Sequence, residues 1–206
     1  MRALYNFIVK PIGKRYNNVD KVGDKELIVN TEIFNHKYIN REAKVTAIPK
    51  ALETSIKVGD SVIIHHNVFR RWHDMKGVER NSRSYINDNM YSVNTDQIYA
   101  YKRDDKWKAV DGYCFVKPIK AFEALSFDKE EPLMGLMKYT DENLGMIEEG
   151  DLVGFTPSSE FEFIINDEIL YRVLTKNISI KYEYQGQEKE YNYSWLQSSG
   201  RANKSS

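Results

Sequence analysis

The residues that could do chemistry are few. The densest group is His65-His66 with His73 and Asp74, a set that could suggest a metal site. Two consecutive strand residues point to opposite faces, and no cysteine or fourth ligand stands at a helpful spacing, so no metal site is expected. The single cysteine, Cys114, cannot close an internal disulfide and falls in an apolar run, where a small core side chain is the expectation. No Ser-His-Asp set, carboxylate pair or phosphate loop has an identifiable context. The expectation is a protein that is not an enzyme and needs no cofactor.

Two stretches remain that could bind rather than catalyse. Arg70 to Ser84 holds Arg70, Arg71, Trp72, His73, Lys76, Arg80 and Arg83 against only Asp74 and Glu79. A basic, aromatic stretch of that kind can stack on bases and pair with phosphates. A solvated loop or subunit interface is the simpler expectation, with Phe69 and Trp72 as residues facing a cavity or an interface. The second stretch is the apolar triplet Leu27-Ile28-Val29, which follows a polar run with two glycines, residues 13–26. That run shows no periodicity and reads as a long mobile loop over about 13–30.

These stretches are set in a chain that repeats itself. Ser55-Ile56-Lys57-Val58-Gly59-Asp60-Ser61-Val62-Ile63-Ile64 is a Gly-Asp turn running into a β-branched strand, and it returns as Glu148-Glu149-Gly150-Asp151-Leu152-Val153. Val9-Lys10-Pro11-Ile12 returns as Val116-Lys117-Pro118-Ile119, and Tyr91-x-Val93-x-Thr95-x-x-Ile98 as Tyr171-x-Val173-x-Thr175-x-x-Ile178. Three blocks in one order, twice, predict a tandem duplication. The offset falls from 107 (Val9 to Val116) to 91 (Gly59 to Gly150) to 80 (Tyr91 to Tyr171), so the second copy has shortened between its blocks. Loops tolerate such loss and packed strands do not.

Aromatic and β-branched richness with few helix-period stretches predicts an all-β fold. The expected boundaries are a first module over 1–101, a linker over 102–112 that Trp107 could anchor, a second module over 113–182, and an aromatic hairpin with a polar tail over 183–206. Lys plus Arg and Asp plus Glu balance at 30 each, so no long-range field draws the chain to nucleic acid or to an anionic membrane. With 29% charged residues and no apolar run near the roughly 20 needed to span a bilayer, a membrane protein is not expected. The first residues lack a signal-peptide pattern, and a reducing cytosol is the expected setting.

The order of these blocks resembles the chaperonin-10 family, the GroES-like co-chaperonins. The features that carry it are an apolar strand ending Val-Lys-Pro, a glycine-bearing loop with an apolar triplet, an alternating strand (Ala43 to Ile48), Lys57-Val58-Gly59-Asp60-x-Val62-Ile63, and a last strand after a polar turn. The resemblance covers 3–101 well and 113–182 more weakly. It implies two tandem GroES-like β-barrels with a β-rich C-terminal extension, and a ring that caps a 60-kDa-type chaperonin to assist the folding of client proteins. It further implies that Leu27, Ile28 and Val29 dock in an apical groove. Each such side chain can gain about 1.5–3 kcal/mol on burial, less the cost of ordering the loop, and several loops on one ring would multiply a weak grip. The chain departs from the family pattern in four places. Glu26 stands where a glycine pair would precede the triplet, Leu125-Ser126-Phe127 is a poor substitute for a second triplet, the roof hairpin shrinks to Pro49–Ile56, and the basic insert is extra. Tandem and virus-encoded co-chaperonins occur, and a phage or bacterial origin fits the composition. The competing expectation is a phage virion or head-assembly protein that has kept the duplicated barrel.

Overall fold

The computed structural model describes residues 3–17, 19–22, 25–28, 35–121, 130–141 and 144–183. The fold is all-β, with only single-turn 3-10 segments between strands among the described residues, and the chain divides into two compact units, Met1–Trp107 and Lys108–Ser206. The terminal segment expected to form an aromatic hairpin lies, apart from Glu183, outside the described residues.

The first unit runs β1 (Phe7–Pro11), β2 (Val19–Val22), β3 (Lys25–Ile28), β4 (Glu42–Ala47), β5 (Ser61–Ile64), β6 (Arg71–His73), β7 (Glu79–Asn81), β8 (Tyr85–Asn87), β9 (Met90–Val93) and β10 (Ile98–Arg103), followed by β11 (Lys106–Ala109). Its main sheet is ordered β11-β10-β5-β4-β1-β9-β8. The second unit runs β12 (Tyr113–Lys120), β13 (Glu130–Tyr139), β14 (Leu152–Phe155), β15 (Phe161–Ile165), β16 (Glu168–Leu174) and β17 (Ile178–Tyr182), ordered β15-β16-β12-β13-β14-β17. With β12 set on β1, the six strands of the second sheet follow the same order as β8-β9-β1-β4-β5-β10 of the first.

The correspondence reaches individual residue pairs. Val9 faces Tyr91 and Val45, while Val116 faces Tyr171 and Met137. A bulge falls between Ile8 and Val9 in one sheet and between Phe115 and Val116 in the other. A second pair of bulges separates Ile98 from Ala100, and Gly154 from Phe155, on corresponding strand pairs. Bulges bend a strand and raise its twist, so both sheets curl at the same two places.

Both sheets are nevertheless open among the described residues, where closed barrels were expected. In the first, the outer edge of β10 bonds to β11, which occupies the edge that closure would need. That hairpin gives strand structure to part of the expected linker over 102–112, within which the boundary between the two units falls. Asp104 and Asp105 take left-handed backbone angles (φ 50° and 59°), a tight turn between β10 and β11, and Trp107 is buried on the return strand.

The Gly-Asp turns explain why those blocks stood out. Gly59 and Gly150 sit at φ +96° and +94°, where a side chain would be strained. Each donates its N–H to the strand before it, Gly59 to Val45 and Gly150 to Met137. Asp60 accepts from the Lys57 N–H at 2.8 Å, and Asp151 from the Glu148 N–H at 2.7 Å. Inward residues of the strands fill the cores: Phe7, Val9, Val45, Val62, Ile64, Tyr91 and Ile98 in the first unit, and Cys114, Val116, Met137, Val153, Phe155 and Val173 in the second.

Candidate functional site

Two features of the first unit are absent from the strand frame it shares with the second: the excursion between β1 and β4, and the insert between β5 and β8. The excursion was expected to be structureless, yet β2 and β3 pair as an antiparallel ribbon, Val19 with Ile28 through to Val22 with Lys25. Leu27 faces Asp20 across that ribbon, and Val29 lies outside the described residues. The ends of the excursion are pinned. Buried Asn40 donates from Nδ2 to the carbonyls of Ile12 (2.7 Å) and Lys14 (2.8 Å), and its backbone N–H donates to the Arg15 carbonyl.

Arg15 and Tyr16 tie that stem to the insert. Arg15 donates from Nη1 to Asn81 Oδ1 (2.8 Å) and from Nη2 to the Phe69 carbonyl (2.9 Å), with its guanidinium 5.4 Å from the Tyr91 ring centre. The Tyr16 hydroxyl accepts from the Arg71 N–H at 2.9 Å, and the Arg71 guanidinium lies 4.7 Å from the Tyr16 ring centre. No periodicity marks either residue, since both stand in a polar, glycine-bearing run.

The insert is a built hairpin rather than a solvated loop. Trp72 pairs with Arg80 across β6 and β7, Arg71 bridges Glu79 at 3.0 Å, and Arg80 bridges Asp74 at 3.0 Å. Asp74 organises the turn. The Val78 N–H above all, helped by the Arg80 side chain and the Lys76 N–H, holds its carboxyl below the usual carboxylate range. Ser82 closes the base by donating from its hydroxyl to the Val68 carbonyl at 2.6 Å.

The two residues expected at a cavity or interface part company. Phe69 is fully buried, edge-on to Tyr91 with ring centres 4.7 Å apart. It is a core residue, because the 3-10 turn His66–Val68 swings the chain inward just before it. Trp72 remains 42% exposed. The histidines also depart from expectation. Strand β5 stops at Ile64, so alternation no longer applies, and the rings of His65 and His66 stack at 4.3 Å with His36 a further 5.3 Å from His66. Burial first, then the nearby His65, Arg41, His36 and Arg70, push the His66 imidazole down to about 3. Among the described residues no three His, Cys, Asp or Glu side chains are grouped to hold an ion. Burial pushes the Cys114 thiol up to about 12, which leaves it unreactive at neutral pH.

Beside Trp72 lies an open cleft of about 510 Å³, lined in part by Asn67, Arg70, Ser82, Arg83 and Gln97. It brings together guanidinium, indole, amide and hydroxyl groups. The second unit passes from Phe155 to Phe161 without such an insert, so the cleft belongs to the first copy alone. No protein-family model matches the chain, and no curated protein matches its sequence. Among the described residues no helix is long and apolar enough to cross a membrane, which leaves strands out of account.

Proposed function

We propose that the protein is a co-chaperonin: a ring-forming lid that caps a 60-kDa-type chaperonin and so assists the folding of its clients. The observation that carries this reading is the placement of Leu27 and Ile28. They stand on a ribbon that leaves the sheet between the neighbouring strands β1 and β4, with its stem held by Asn40. A short apolar arm on a fixed stem suits weak, reversible docking that becomes firm only when several arms engage together. Fold alone does not fix function, so the arm is what must be tested. Mixed with a bacterial chaperonin and ADP or ATP, the protein should co-migrate in native mass measurements and form end caps in negative-stain images, and Ile28→Asp should abolish both. Association unchanged by Ile28→Asp, or no association at all, would sink the reading.

A second reading has its own support. The pairing of β2 with β3 gives the excursion regular structure, as suits a fixed assembly contact in a phage virion or head. Limited proteolysis separates the two. A docking arm is cut quickly near Lys21 and Lys25 in the isolated protein and protected by chaperonin, whereas an assembly element resists throughout.

A further inference from the structure

We propose that the cleft of the first unit binds a nucleotide, with its base stacked on Trp72 and its phosphate held between Arg70 and Arg83. The argument is independent of the co-chaperonin reading. The insert has five Lys or Arg residues, 70, 71, 76, 80 and 83, and two acidic ones, 74 and 79. Both carboxylates are committed, Glu79 to Arg71 and Asp74 to Arg80. The cations that line the cleft are therefore the ones left over. Neither Arg70 nor Arg83 pairs with a carboxylate among the described residues, and the buried Arg70 Nε has no hydrogen-bond partner there. A guanidinium without a carboxylate partner is a ready partner for phosphate oxygens.

Charge alone would fit any anion; the other lining groups narrow the choice. The indole of Trp72 is partly bare beside the two arginines and offers the flat surface that a base, but not a simple carboxylate or phosphate, can cover. The amides of Asn67 and Gln97 supply donors and acceptors of the kind that read a base edge. The Gln97 Oε1 already accepts from the Asn94 N–H, which fixes that side chain in place. The volume falls in the range of small-ligand sites, and the open rim would let a phosphodiester chain run on in either direction.

The test measures anisotropy of fluorescein-labelled dT10 and rA10 on the full-length protein at low salt, with competition by AMP, ATP, ribose 5-phosphate and pyrophosphate. AMP should compete at least tenfold better than the base-free phosphates. Trp72→Ala should weaken binding about five- to a hundredfold, with Trp72→Phe recovering part of the loss, and Arg83→Ser should weaken it while lowering its salt dependence. Both side chains are exposed, and far-UV circular dichroism checks that the variants fold. Affinity that climbs with oligonucleotide length marks a single strand as the source, and affinity for AMP or ATP equal to that for the oligomers marks a free nucleotide. Equal competition by ribose 5-phosphate, binding unmoved by Trp72→Ala, or no binding in either arm would overturn the proposal.

Discussion

Replacing Asp60 by asparagine, and separately Asp151 by asparagine, applies one perturbation to two copies of one turn in different surroundings. Asp60 has a side chain only 7% exposed and meets Arg103 with both oxygens, at 3.2 Å from Nε and 2.6 Å from Nη2, besides accepting the Lys57 N–H. Asp151 is 22% exposed and meets Lys181 through one oxygen at 2.6 Å, and that lysine is itself 47% exposed. Neutralising a buried, two-pronged carboxylate leaves the Arg103 guanidinium with the Ser55 carbonyl and water, a loss of about 2–4 kcal/mol. At the exposed site, water replaces much of what is lost, and about 0.5–1.5 kcal/mol is expected. The difference of about 2 kcal/mol corresponds to roughly thirtyfold in an opening equilibrium. Hydrogen exchange followed by mass spectrometry reads it unit by unit: peptides of β4 and β5 should gain exchange in Asp60→Asn far more than those of β13 and β14 do in Asp151→Asn. Equal effects would refute the reasoning, because they would mean that burial of the carboxylate does not set its worth.

Other outcomes follow from the same structure. Gly135→Ala should destabilise the second unit by about 1–3 kcal/mol, because a Cβ there would meet the Lys117 carbonyl oxygen and Val116 Cγ1 within 2.5 Å. Ala43 fills the corresponding place opposite Pro11 in the first sheet, so tolerance of alanine at 135, seen as an unchanged urea midpoint, would show that the second sheet is not the tighter one. His66 has its pKa near 3 when folded and about 6.5 when unfolded, so the unfolded chain binds the extra proton. Stability should therefore fall as pH drops below 6.5. The bound is about 1.4 kcal/mol per pH unit, reduced by partial exposure to on the order of 1 kcal/mol between pH 7 and pH 5. His66→Gln should flatten that slope in urea unfolding, and an unaltered slope would count against the buried neutral imidazole.

The strands were legible wherever apolar residues alternate against one core. Val9, Val45, Val62, Tyr91 and Val93 fall on the inward face as their spacing implies, and the paired bulges then follow the duplicated blocks. The insert was not legible, because its strands Arg71–His73 and Glu79–Asn81 bury no side chain and hold together through Asp74, Arg71 and Glu79 instead. Residues 102–112 conceal their hairpin for a related reason. The acidic pair Asp104-Asp105 reads as a solvated linker, although Lys106-Trp107-Lys108-Ala109 does alternate and Trp107 and Ala109 are buried. Phe69 looked like a site residue because the insert begins beside it, and nothing in composition tells an inward phenylalanine from an outward one. The cleft depends on which carboxylates take which arginines, a matter of side-chain geometry that spacing does not record.

The place of β1 in its sheet has a consequence for synthesis. Phe7 pairs with Val93, so β1, an interior strand of the first sheet, lacks one of its neighbours until most of the unit has been made. At about 5–20 residues per second, that leaves β1 half-paired for roughly 4–17 s on the ribosome. Asp60 waits about half as long for its own partner, since Arg103 lies 43 residues further on at the end of β10. During that interval the nascent chain displays an apolar strand with a bare edge, and only after it does the second copy begin to offer strands of the same order. Correct pairing then depends on the first sheet closing before β16 emerges. A protein proposed to help others fold would itself carry, for seconds in every round of translation, an apolar strand still waiting for its second neighbour.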